Sequence, residues 1–347
     1  MPHPLDFIVF GVPRSGTSAL ARALNLHPNV LCAMERFYYS VDHASLSFPN
    51  SFLTTTDVDD SHDYKKIDYV RTQLAEKPQV LHAGNKLPRY YFGLERINRE
   101  VPALRNIWIY RSPFGFVQSW NRRELNHRKG RWRAGQVGVF GFLELLVCID
   151  NCTRLGKDIF LFPYEFGLNQ SAEPVMKALD FLGADAGSFD RNTFEAELLP
   201  RRRDGAHRLP LRDNEEEMFA VLKVRELDAI MERGWGVISR DVAADLRDYL
   251  RSMKAGLPAA VDRALRGYDN PAVPYYGAEF FARHRPALGT LLELTQGSTV
   301  IANMQRAGPL KRLKSLYVQR SALMRRLAGF RLRGRAALRA VRGRHEG

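Results

Sequence analysis

Two short segments of this chain carry residue types whose spacing suits the binding of anions. The first is Gly11-Val-Pro-Arg-Ser-Gly-Thr-Ser18, which follows the apolar run Phe7 to Val12 and leads into Ser18 to Leu26, where Leu20, Ala23 and Leu24 share one helical face. A glycine-bearing loop between strand and helix turns successive backbone N–H groups inward, with the positive end of the helix behind them. Such a cradle holds a phosphate or sulfate group with little help from side-chain charge. A nucleoside-triphosphate loop would read G-x-x-x-x-G-K-[ST]. Here Gly11 and Gly16 stand in place, but Thr17 occupies the lysine position. The basic residue sits inside the loop, at Arg14, whose guanidinium fork suits one terminal phosphoryl or sulfuryl group better than a magnesium-bound triphosphate.

The second segment, Asn106 to Ser119, is a buried-type strand that ends in Arg111 and enters a helix near Pro113, a residue favoured at a first helical turn. Ser119 lies about two turns into that helix, and Arg123 follows four residues later on the same face. Arg111, Ser119 and Arg123 therefore offer three donors on one side.

Pro13-Arg-Ser-Gly-Thr17 and the Arg111…Ser119 spacing resemble the two donor-binding signatures of the sulfotransferase family. The wider stretch around the loop looks most like its tyrosylprotein and carbohydrate branch and their bacterial relatives. The resemblance spans roughly residues 5 to 190. It implies a three-layer P-loop-like fold and a co-substrate, 3′-phosphoadenosine 5′-phosphosulfate, used without a metal. It also implies that Arg14, Ser15, Gly16, Thr17 and Ser18 cradle the 5′-phosphosulfate, while Arg111, Ser119 and Arg123 hold the 3′-phosphate. The common family form is Arg-Asp-Pro where this chain has Arg111-Ser112-Pro113.

Sulfuryl transfer is an in-line displacement that needs a base for the acceptor proton and a cation at the leaving oxygen. Glu35 follows the apolar run Leu31 to Met34, which brings it to the same sheet edge as the loop, and Lys86 ends a strand. By resemblance Glu35 is the general base and Lys86 the cation, although the branch usually has Gly-Glu where this chain has Met34-Glu35. His82 and His43 are rival bases. Tyr164-Glu165 resembles the family's Tyr-Glu-x-Leu segment and makes Tyr164 a nucleotide contact, with a plain core tyrosine as the other reading.

The elements that must position these residues alternate. Strand-like runs at Phe7 to Val12, Gln79 to Ala83, Asn106 to Tyr110 and Ile159 to Pro163 are interleaved with helical patterns at Tyr90 to Arg99, Phe114 to His127 and Glu173 to Leu182. That order predicts an α/β fold, a central parallel sheet flanked by helices. Beyond Phe194 the pattern is helical, with Asn214 to Arg233 and Val242 to Lys254 the most periodic stretches and no further strand evident. We expect a catalytic domain over 1–255, a helical accessory region over 256–305 and a basic amphipathic tail over 306–347.

The formal net charge of +14 is concentrated in that tail, where 13 Lys and Arg face one acid, Glu346. A basic amphipathic helix there would lie on an anionic membrane surface, with a solvated or helix-packing tail as the other reading. Cys32, Cys148 and Cys152 lack the spacing of a disulfide framework, no apolar run reaches the roughly 18 residues of a membrane span, and no leader is recognisable. The expected location is cytoplasmic, peripheral at the inner membrane surface. The expected acceptor is a hydroxyl on a glycan or glycolipid, and no nucleic-acid module is evident. Two rival readings are a P-loop kinase-like phosphotransferase, against which the missing loop lysine counts, and a non-enzymatic anionic-surface binding protein.

Overall fold

The computed structural model describes residues 4–54, 61–125, 138–199, 211–266 and 278–306. Strand β1 (Phe7–Phe10) leads through the loop to helix α1 (Thr17–Leu24), and β2 (Val30–Met34) to α2 (Asn50–Leu53) and α3 (Ser61–Glu76). Next come β3 (His82–Lys86), α4 (Leu94–Glu100), β4 (Arg105–Tyr110), α5 (Pro113–Leu125) and α6 (Gly138–Arg154). They are followed by β5 (Ile159–Pro163), α7 (Tyr164–Gly167) and α8 (Glu173–Phe181). The strands form one sheet in the order β2-β3-β1-β4-β5-β6.

Strands β1 to β5 run parallel; β1, β3, β4 and β5 stand on the four runs that the alternation marked, and β2 adds a fifth on the apolar run before Glu35. The sixth, β6 (Gly236–Val237), was not foreseen and adds an antiparallel edge against β5. Two residues at a glycine carry no readable period. Strand β3 starts at His82, three residues later than the apolar pattern from Gln79 suggested. The helical stretch from Asn214 to Arg233 is two helices, Asp213–Val221 and Val224–Arg233, broken where Lys223 takes a left-handed φ of 50°. Beyond residue 255 the chain continues with a helix at Leu257–Arg266.

Alternation along each strand sorts side chains to the two faces. Ile8, Phe10, Trp108, Tyr110, Ile159 and Leu161 join one apolar cluster, and Phe7, Val9, Ile107, Ile109, Phe160 and Phe162 the other. Leu20 and Leu24 of α1 and Val175 and Leu179 of α8 cover the second face. The first face is covered by α5 and by α6, which is buried on almost every side from Gly138 to Cys152. A helix apolar all round must lie inside the protein, and Leu257, Val261, Leu291 and Ile301 from beyond residue 255 close over it in the same cluster. All three cysteines are buried free thiols.

Parallel strands also place all their carboxyl ends on one edge. Val9 pairs with Lys86, Met34 with Lys86, Phe10 with Trp108 and Tyr110 with Pro163. The loop after β1, Glu35, Lys86, Arg111 and Tyr164 therefore leave five neighbouring strands on the same side.

Candidate active site

The loop is fixed by backbone and side-chain contacts at both ends. Gly11 donates its N–H to the Pro88 carbonyl at 3.1 Å, Ser15 N–H to Val12 O at 2.9 Å, and the buried Trp120 Nε1 of α5 to Pro13 O at 2.7 Å. Arg14 takes φ 80° and Gly16 φ 99°, so the chain turns through the left-handed region twice in three residues. Such turns aim consecutive N–H groups into one concavity. Gly16 has a second reason to lack a side chain, because a Cβ there would lie 2.4 Å from the Tyr164 ring. Thr17 opens α1 and is buried, and Ser18 is exposed on its first turn. Ser15 is 1% exposed, and its Oγ has no hydrogen-bond partner among the described residues. An unsatisfied buried hydroxyl inside an N–H cradle fits an oxyanion ligand.

Arg111, Ser119 and Arg14 come together. Arg111 donates from a terminal guanidinium nitrogen to the Arg14 carbonyl at 3.0 Å, and Arg14 Nε donates to Ser119 Oγ at 3.0 Å. The Arg111 guanidinium lies 4.5 Å from the centre of the Tyr164 ring, a cation–π contact that orients the fork. It also passes over Gly115, where a Cβ would approach Nε to 2.8 Å. Tyr164 is thus half-buried beneath Arg111 and against Gly16, and it belongs to the site's wall rather than to the core alone. Arg123 falls on the last turn of α5, but its side chain lies outside the described residues, as do most of the basic run from Arg122 to Arg133, the segment holding Arg201 to Arg203 and His207, and the tail beyond Arg306.

Glu35 and Lys86 meet on the other side of the loop. Lys86 Nζ donates to Glu35 Oε1 at 2.6 Å, with the lysine side chain 2% exposed and the carboxylate 44%. Neighbouring positions on parallel strands produce the contact, since Glu35 N–H also donates to Lys86 O at 2.6 Å. Glu35 takes φ 57°, an unusual conformation for a residue with a side chain. Asn85 holds it there: its Oδ1 accepts from Arg36 N–H at 2.9 Å, and its Nδ2 donates to Phe37 O at 3.0 Å. The buried Arg36 guanidinium then ties the segment to α2 through the carbonyls of Phe52, Ser51 and Thr54.

The rival histidines stand elsewhere. His82 opens β3 at the opposite edge of the sheet from Lys86. His43 is fully buried, with Nδ1 against Val41 O at 2.8 Å and its ring on Tyr90, and burial lowers its proton affinity. Sequence reasoning missed Trp120 and Asn85 as supports, because nothing local marks a tryptophan or asparagine for a partner so far along the chain. A hollow of about 200 Å³ beyond Glu35 is lined by Arg36, Phe37, Tyr38, Ser40 and Val41, with Tyr38 exposed.

A family model described as the sulfotransferase family matches residues 6–183. No curated protein sequence matches the chain. Among solved structures it is similar to a sulfotransferase from Alicyclobacillus acidocaldarius, at 16% identity and a TM-score of 0.42, covering 66% of this chain and 96% of that one. It is also similar to the sulfotransferase domain from the curacin biosynthetic pathway, at 15% identity and a TM-score of 0.37, covering 64% and 98%. A Mycobacterium avium sulfotransferase gives 15% identity and a TM-score of 0.35, covering 56% and 68%.

Proposed function

Because the chain belongs to the sulfotransferase family and is an enzyme of sulfuryl transfer, we propose that its donor is 3′-phosphoadenosine 5′-phosphosulfate and its acceptor a hydroxyl on a glycan or glycolipid. The observation that carries this reading is the pairing of a half-exposed carboxylate, Glu35, with a buried ammonium, Lys86, beside an anion cradle whose Ser15 hydroxyl is unsatisfied.

In this reading the backbone from Arg14 to Ser18 holds the phosphosulfate, and Arg111, Ser119 and Arg123 hold the 3′-phosphate. Glu35 takes the proton of the acceptor hydroxyl as its oxygen bonds to sulfur. The sulfur–oxygen bond to the donor's phosphate breaks, and Lys86 stabilises the charge left on that oxygen. The products are the sulfated acceptor, 3′,5′-diphosphoadenosine and a proton on Glu35. Before reaction, the hydrogen bond from Lys86 Nζ orients the Glu35 carboxylate. Tyr164 supports Arg111 from below.

The Tyr38 ring, exposed and with Lys66 Nζ 5.3 Å from its centre, and the hollow beside it lie just beyond Glu35 in the chain and supply an aromatic surface bordered by polar groups. That surface suits a ring-bearing, hydroxyl-rich acceptor. The basic tail would hold the enzyme at an anionic surface near a lipid-linked acceptor, and no described helix is long and apolar enough to cross a membrane. Incubating the protein with the donor and a panel of glycans and glycolipids, and following 3′,5′-diphosphoadenosine release, tests the reading. Acceptor-dependent release that disappears in Glu35→Gln supports it; release from phenols or peptide tyrosines alone would overturn the acceptor assignment. Co-sedimentation with anionic but not neutral vesicles at low salt, lost on deleting residues 307–347, tests the tail.

A further inference from the structure

The residues on either side of Arg111 are held by one carboxylate from a distant part of the chain. Asp228 lies in helix Val224–Arg233, outside the residues 6–183 that match the family. Its Oδ1 accepts from Tyr110 Oη at 2.6 Å and its Oδ2 from Ser112 Oγ at 2.9 Å. Tyr110 ends β4 and Ser112 begins the turn into α5, so both hydroxyls flank the residue whose guanidinium reaches into the site.

Several features make this a clamp aimed at Arg111. Val224, Leu227 and Met231, within one turn of Asp228 and on its side of the helix, are buried in the core, so the carboxylate sits on a rigid support at the edge of the packed face. The helix enters from the left-handed turn at Lys223 and leads toward β6, whose pairing with β5 fixes its far end. Ser112 receives a second restraint, its N–H donating to Glu165 Oε1 at 3.2 Å. Neither hydroxyl that Asp228 accepts from carries a charge, and partial burial raises the proton affinity of the carboxylate. A carboxylate kept in that setting pays desolvation and returns orientation of β4's last residues. Arg111 springs from the backbone between these two tethered residues, and its guanidinium reaches the Arg14 carbonyl and the Tyr164 ring and passes over Gly115.

We propose that Asp228 is a positioning residue for Arg111 and, through it, for the 3′-phosphate of the donor. This inference rests on the donor assignment above. It makes recognition of the 3′-phosphate depend on a helix beyond the family-matched region, while the cradle for the 5′ group is held in addition by its own bonds to Pro88, Val12 and Trp120.

The difference between the two ends of the nucleotide supplies the test. Binding of 3′,5′-diphosphoadenosine and of adenosine 5′-monophosphate to the full-length protein is measured by calorimetry for the natural sequence, Asp228→Ala, Asp228→Asn, Ser112→Ala and Tyr110→Phe/Ser112→Ala. Asp228→Ala is expected to weaken the diphosphate about tenfold, the worth of one hydrogen bond to a charged group, and to leave the monophosphate within about twofold. Tyr110→Phe/Ser112→Ala should reproduce that selective loss, and Ser112→Ala and Asp228→Asn should fall between. An equal loss for both ligands would show general damage and overturn the proposal, as would unchanged diphosphate affinity. If Asp228→Ala does not fold, Ser112→Ala decides by the same ratio. Failure of the donor assignment would look different: the natural protein itself would bind the two nucleotides equally well.

Discussion

Removing the charge of Glu35 while Lys86 stays in place should destabilise the protein more than removing the lysine. The reason is the asymmetry of burial, 2% exposure for the lysine side chain against 44% for the carboxylate. At the observed 2.6 Å, two unit charges interact by roughly 1.6 kcal/mol in water and roughly 6 kcal/mol at an effective dielectric of about 20. The half-exposed carboxylate sets the value near the lower end, about 2 kcal/mol. In Glu35→Gln a buried ammonium keeps only an amide oxygen, so the loss should be about 2 kcal/mol. In Lys86→Met the buried charge disappears, an apolar stem of similar length fills its place, and Glu35 is left to water; the loss should be below about 1 kcal/mol. The double variant should then be more stable than Glu35→Gln alone. Urea unfolding of the four proteins at pH 7, with midpoint and slope recorded for each, measures this coupling. Additive losses, or a Glu35→Gln protein within about 0.5 kcal/mol of the natural one, would refute the idea that these groups form one charge-paired unit.

Gly16→Ala must place a side chain at φ 99° and 2.4 Å from the Tyr164 ring. It should cost at least about 1 kcal/mol of stability and weaken 3′,5′-diphosphoadenosine binding, both readable by melting with and without the nucleotide. His284 offers a pH test. It is buried against Phe92 and Phe280 with Nε2 on Tyr39 Oη at 3.1 Å, and burial, with Arg283 and Arg89 nearby, lowers its pKa to about 4 despite Glu144. A depressed folded-state pKa favours the neutral ring, so this contribution is complete above the unfolded value near 6.5 and is lost as pH falls toward about 4. Allowing for water at the ring edge, the natural protein should lose roughly 2 kcal/mol over that interval that His284→Gln does not lose. Parallel pH profiles of the two proteins would contradict this.

The loop side of the candidate site could be read in the sequence because it is built from backbone turns, and turns demand particular residue types at fixed spacing. Gly16 is required by its φ and by the Tyr164 ring, and Arg111 and Ser119 are placed by a strand end and two helical turns. Glu35 and Lys86 could be placed at one sheet edge from their positions after apolar runs, and parallel register brought them into contact. The supports could not be read. Trp120, Asn85 and Asp228 act on residues 107, 49 and up to 118 positions away, and their own helices and strands would look the same without those partners. β6 escaped because a strand of two residues has no period to detect, and the break at Lys223 because a left-handed lysine leaves no mark in a helical pattern.

The most direct test of the account is calorimetric binding of 3′,5′-diphosphoadenosine without magnesium, alongside ATP with magnesium, to the natural protein and to Arg111→Ala. The account predicts tight diphosphate binding that collapses in Arg111→Ala and exceeds ATP binding. Preference for magnesium-ATP, or diphosphate binding indifferent to Arg111, would contradict the assignment of this sheet edge to the sulfuryl donor.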